Sequence, residues 1–151
     1  MVKYIPSLFE PYKSKIRVYR TTSDQSITLG TTVKVAFNAK TYDVLSEFDE
    51  VTNYRFTAKK AGYYLIHCQL GFHTLVAGGS YALRIHKGGS EITEHYFYAP
   101  NADYYTATCS DIVYLNAGNY IEIFAENNTV KTAKLTASSV FTFLAIHKLS
   151  E

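Results

Sequence analysis

The stretch FTAKKAGYYLIHCQLGF, residues 56–72, decides the fold. Beyond Gly62 it has a period of two. Tyr64, Ile66, Cys68, Leu70 and Phe72 form one unbroken apolar face. Tyr63, Leu65, His67 and Gln69 form the other. Period-two alternation is the mark of a β-strand with one side on a core. Here the second side is half apolar as well, so it too needs a cover.

The same alternation extends in both directions from this stretch. Ile16 and Val18 alternate with Lys15 and Arg17, and Val33, Val35 and Phe37 with Thr32, Lys34 and Ala36. Tyr81, Leu83 and Ile85 lead into a turn at Gly88-Gly89, followed by ITEHYFY, residues 92–98. A loop APNAD, residues 99–103, precedes a run ending at Ile112–Leu115. NAGN, residues 116–119, turns the chain into YIEIFAE, and NNTVKT, residues 127–132, leads to a last strand over Ser139–His147. In that last strand Phe141 and Phe143 share one parity, expected to enter the core with Ile66. Val140, Thr142 and Leu144 share the other, expected to face away. No stretch has helical periodicity, so the pattern predicts one all-β sandwich or jelly roll.

A chain of 151 residues suits a single domain with a sizeable core. Fourteen Tyr and nine Phe, without Trp, favour strands over helices. The net charge of +2 is dispersed, with no basic run longer than Lys59-Lys60, so neither nucleic acid nor a membrane surface is an expected partner. No apolar run reaches membrane-spanning length. Residues 1–20 hold no central apolar block of the kind that directs export. Cys68 and Cys109 lack metal-ligand spacing and read as two buried, unpaired thiols. Residues 1–14 combine Pro6 and Pro11 with Tyr4, Ile5, Leu8, Phe9 and Tyr12. They read as an N-terminal arm that docks on a neighbour or a larger assembly, with residues 15–151 as the head.

His67, His73, His86, His95 and His147 stand in no ligand spacing, and there is no nucleophile elbow or phosphate-cradling glycine loop. No catalytic residue, metal or cofactor is expected, and the chain does not read as an enzyme. The most distinctive loop is HYFYAPNADYY, residues 95–105. Tyr96, Tyr98, Asn101, Asp103 and Tyr104 make a candidate ligand-binding loop, because Tyr-rich loops supply rigid amphipathic contact area for sugar or protein. Packing of these rings at the edge of the sandwich is the alternative. Asn127-Asn128-Thr129 is a glycosylation acceptor triplet or a plain turn.

Phe37, Asp43, Phe48, Phe56, Gly62 and Tyr64 fall in an order and spacing that resembles the complement C1q and tumour-necrosis-factor-like family. RIHKGG (84–89), LNAGNYIEI (115–123) and SSVFTFLAI (138–146) resemble further strands and turns of that family, over residues 16–148 together. The resemblance implies a ten-stranded antiparallel jelly roll that assembles as a homotrimer. It also implies that the strand after Gly62 and the closing strand lie in an inner sheet packed on a threefold axis. Leu65, His67, Gln69, Val140, Thr142 and Leu144 are then the expected interface. Three His67 rings would meet there, and their charging in acid is expected to loosen the trimer. A metal held by the three rings is the alternative.

Heads of this kind occur on bacteriophage particles as well as on secreted proteins. The expected function is a trimeric virion surface protein: a decoration, fibre or receptor-binding head. Its partners would be itself, a capsid or tail protein through the arm, and a host-surface glycan or protein. A secreted recognition or lectin-like head at an extracellular location is the second reading. A single jelly-roll viral coat protein is the third.

Overall fold

The structure, a computed structural model, describes residues 13–151. Most of the proposed arm, residues 1–12, lies outside the described residues. Ser14 belongs to the head: it is buried, its hydroxyl donates to Glu47, and its carbonyl accepts from the Lys148 amide.

Thirteen strands and no helix make up the described residues. They are β1 (Lys15–Tyr19), β2 (Gln25–Ile27), β3 (Thr31–Lys34), β4 (Ala39–Asp43), β5 (Phe48–Asp49) and β6 (Arg55–Thr57). Then follow β7 (Gly62–His73), β8 (Ser80–Lys87), β9 (Ser90–Tyr98), β10 (Tyr104–Leu115), β11 (Tyr120–Asn127), β12 (Ala133–Leu135) and β13 (Phe143–Ser150). The excess over the expected ten comes from segments such as β2, β5 and β12, of only two or three residues each.

The strands form two antiparallel sheets. One runs β2-β12-β7-β13-β1-β4, with β10 on the other edge of β7. The second runs β5-β6-β11-β8-β9, with β3 beside β11. These are called the inner and outer sheets below. Strand β7 is the spine of the inner sheet, paired with β10 along its whole length. Its Tyr64, Ile66, Cys68, Leu70 and Phe72 are all fully buried, as the alternation requires. Facing them from the outer sheet are Phe56, Tyr81, Leu83, Ile85, Ile121 and Ile123. At one end of the core, Phe97 stacks on Tyr81 (5.5 Å) and Tyr105 (4.1 Å) and meets Phe72 edge-on at 5.2 Å. Burial of each such ring contributes roughly 2–3 kcal/mol.

The family-like spacing has local causes. Asp43 accepts from the amides of Glu47 (2.8 Å) and Phe48 (3.0 Å), closing the turn that delivers Phe48 to the core. The Asn127 side chain is buried, donating to the carbonyls of Ile27 and Lys131 and accepting from Thr129. That triplet is therefore a turn, because a buried, fully bonded amide has no exposed nitrogen for a glycan.

Cys68 and Cys109 are buried, free and directly opposite one another on β7 and β10. Their pairing explains why they do not bridge. Thr74 donates to the Asp103 carbonyl one step beyond the ladder, so by alternation Cys68 and Cys109 are a closely hydrogen-bonded pair. The Cβ atoms of such a pair lie about 5.5 Å apart, wider than the roughly 3.8 Å of a relaxed disulfide. Burial raises both thiols above their ordinary pKa, Cys68 well above it. A thiol reagent at neutral pH is expected to label neither in the native protein and both after denaturation. Rapid native labelling, or an internal bridge found by mass spectrometry, would contradict this arrangement.

Candidate functional site

Strand β7 presents Tyr63, Leu65, His67 and Gln69 on the side of the inner sheet away from the core. The register sets partners beside each. From β10 come Tyr114, Ile112, Ser110 and Thr108, and from β13 come Phe143, Ala145 and His147. The face is apolar at one end: Tyr63, Leu65, Ile112 and Tyr114 are 47%, 38%, 57% and 42% exposed. Tyr63 and Tyr114 meet edge-on at 5.1 Å. Contiguous apolar side chains of this size on a sheet face mark an interaction surface. No element of the described chain lies across them.

The middle of the face is polar and ordered. His67 Nδ1 lies 2.7 Å from Ser110 Oγ, and its ring is 5.8 Å from that of Phe143. The Arg17 guanidinium covers Phe143 at 4.4 Å and donates to the Ser139 carbonyl at 2.7 Å. Gln69 Nε2 donates to the Val140 carbonyl at 2.8 Å.

Leu65, His67 and Gln69 therefore share this face, as expected, whereas two of their expected partners do not. Leu144 and Thr142 are buried, and Phe143 faces outward. The parity inverts because residues 138–142 are a turn: the Thr142 amide donates to the Ser138 carbonyl at 2.9 Å. The strand starts only at Phe143, and its register pairs Leu144 with Cys68 and Ile146 with Ile66, both core residues. Thr142 Oγ1 accepts from the Gly71 amide inside the sandwich. Val140, 64% exposed, is on the turn. Sequence reasoning missed Ile112, Tyr114 and Phe143. For the first two, the alternation Thr108, Ser110, Ile112, Tyr114 against buried Cys109 and Leu115 was the available signal.

The Tyr-rich loop does not gather into one site. Tyr96 and Tyr98 are exposed on β9, on the far side of the outer sheet, with their rings 5.5 Å apart. Tyr104 begins β10 in the inner sheet, packed edge-on against Phe141 at 5.5 Å with its hydroxyl buried. Between them Asn101 Oδ1 accepts from the Asp103 amide at 3.0 Å and closes an exposed turn. A chain that passes from one sheet to the other splits aromatic neighbours between opposite surfaces.

His73, His86 and His95 have local contacts. The Ala137 amide donates to Asp24 at 2.8 Å and His73 Nε2 meets it at 2.9 Å, and these bonds, the amide's foremost, hold the Asp24 carboxyl below its ordinary pKa. His95 Nδ1 lies 2.6 Å from the Thr108 carbonyl oxygen, and the His86 ring packs tilted against Phe124 at 4.3 Å. Among the described residues no group of three or more His, Cys, Asp and Glu is placed to hold a metal ion.

No protein-family model matches the chain. No curated protein matches it in sequence. Solved structures do match in shape. Murine APRIL at pH 5.0 superposes with a TM-score of 0.71 at 18% identity, over 91% of this chain and 99% of that one. Eiger TNF from S. frugiperda gives 0.69 at 13%, over 92% and 94%. The globular domain of the zebrafish complement 1qA protein gives 0.65 at 14%, over 92% and 98%. The fold is thus the all-β jelly roll of tumour-necrosis-factor-like and complement heads, spanning nearly their whole length.

Proposed function

We propose that this protein is a homotrimeric recognition head displayed on an exposed surface, without catalytic activity of its own. The uncovered apolar face built on Tyr63, Leu65, Ile112 and Tyr114 carries this reading, since two further copies are the cover this chain can supply itself. Likeness of fold to tumour-necrosis-factor and complement heads supports it by analogy. The axial side chains in this reading are Leu65, His67 and Gln69 with Ile112, Tyr114 and Phe143, in place of Thr142 and Leu144. The exposed Tyr96–Tyr98 pair stays outside the assembly as contact area for a glycan or protein. The display setting we carry forward is a virion surface, with an extracellular head as the second reading. Portal, capsid or tail genes beside this one would favour the first, and a collagen-like stalk encoded upstream the second.

Sedimentation equilibrium at neutral pH tests the core of the proposal. The expected mass is about three times the 17.0 kDa of one chain, roughly 51 kDa, for the closed ring of a threefold interface. A monomer at tens of micromolar would overturn it.

A further inference from the structure

We infer that the seam between subunits is an acid-operated release, with His67 as the group that opens it. The inference rests on the trimer reading above and adds a regulation that trimer assembly alone does not require.

The chemistry around His67 is one-sided. On β10 its neighbours Thr108, Ser110 and Ile112 are neutral. The Asp111 carboxylate is engaged elsewhere, accepting from the Thr93 hydroxyl and the Ile112 amide. On β13 Phe143 and Ala145 are neutral and His147 is a further base. From β1 come Arg17 and Lys15, both basic. On β4 Tyr42 is neutral, and Lys40 is paired with Asp43 and Glu50. Toward the two ends of β7, Asp24 is paired with His73 and Glu151 with Lys148. His73 is six residues along β7 from His67, about 20 Å away. The Phe143 ring, which would otherwise welcome an imidazolium, already carries the Arg17 guanidinium.

A neutral His67 satisfies Nδ1 at Ser110 and packs against Phe143 without cost. A protonated one brings a third kind of cation to a face with no free carboxylate among its described neighbours. Around a threefold axis that charge appears three times, in a region from which assembly excludes water. In monomers the face is open to solvent, and the same charge is hydrated there. Proton uptake is therefore coupled to dissociation, and the sign is fixed: the trimer holds above the ordinary imidazole range and weakens below it. If all three rings must be neutral, each pH unit of acidification once they charge lowers the three-body association constant by up to about a thousandfold, raising the half-assembly concentration about thirtyfold.

Sedimentation of wild type, His67→Gln, His67→Phe and His147→Gln at pH 7.5 and 5.5, with far-UV circular dichroism to follow folding, tests the inference. At a few times the half-assembly concentration found at pH 7.5, wild type and His147→Gln are expected to be mostly trimers at pH 7.5 and folded monomers at pH 5.5. Both His67 variants should stay trimeric at both, the phenylalanine covering the case in which glutamine packs poorly. A wild-type trimer equally firm at pH 5.5, or His67 variants as acid-labile as wild type, would overturn the switch and leave the trimer standing. Folded but monomeric His67 variants at pH 7.5 would make the ring a structural contact and overturn the switch as well. A wild-type monomer at pH 7.5 would remove the trimer reading itself, and the switch with it.

Discussion

Leu65→Asp is expected to give a folded monomer, while Ile92→Asp leaves assembly untouched. The two side chains are equally exposed in the isolated subunit, each at 38%, and both lie on strands. They differ in which sheet carries them: Leu65 is on the open face of the inner sheet, Ile92 on the edge strand of the outer one. In a trimer the first substitution buries three carboxylates close to the axis with no arranged partner. An uncompensated buried charge costs about 3–5 kcal/mol, enough for each one to lower association by about two to almost four orders of magnitude. Ile92→Asp adds a solvated charge beside Glu91 and Glu94 and costs under about 0.5 kcal/mol. Sedimentation of both variants with wild type reads the outcome. A Leu65→Asp trimer as firm as wild type would exclude this face from the interface. Because Leu65 is partly exposed in the monomer, its loss should leave the melting temperature of the dissociated chain within a few degrees of wild type.

The second large effect is expected at Gly62, where β7 begins. Its φ of +146° is open to glycine and strained for any L side chain. A Cβ there would lie 2.2 Å from the Ser150 carbonyl oxygen and 2.5 Å from Lys148 Cε. The obstacle is backbone, held by the pairing of Ser150 with Tyr63, and Lys148 is itself buried against the Ser14 segment. Gly62→Ala therefore combines backbone strain with a clash that no rotamer relieves, for a loss of about 3–5 kcal/mol. In a domain of this size that lowers the melting temperature by about 10 °C. Gly118→Ala is the control. Its φ is +89°, but nothing lies within 4 Å of the added atom, so only the conformational cost of about 1 kcal/mol applies. Equal melting shifts for the two would show that the crowding at Ser150 is not real.

The Gly62 site also shows what was legible in the residues. The glycine, the turn at Asp43 and the alternation over 62–72 are local features: each depends on what one segment can do with its own backbone and its two faces. From them came the all-β class, the buried parity of β7 and the uncovered second face. The candidate site was legible along β7, where the inward parity is apolar throughout. Along residues 138–146 it was not, because both parities carry large apolar side chains and hydrophobicity cannot choose between them. Pairing made the choice. The turn at 138–142 delays the strand to Phe143, and hydrogen bonding to β7 places Leu144 beside Cys68 and Ile146 beside Ile66. Phe143 is then driven outward, where the Arg17 guanidinium lies over its ring and His67 packs tilted against it. The dispersal of the Tyr-rich loop was hidden for a related reason. Tyr96, Tyr98 and Tyr104 are close along the chain, but β9 belongs to the outer sheet and β10 to the inner. Composition and period reside in a single strand and can be read from it. Which face of that strand meets the core is a relation between strands, set by register and by the sheet each one joins.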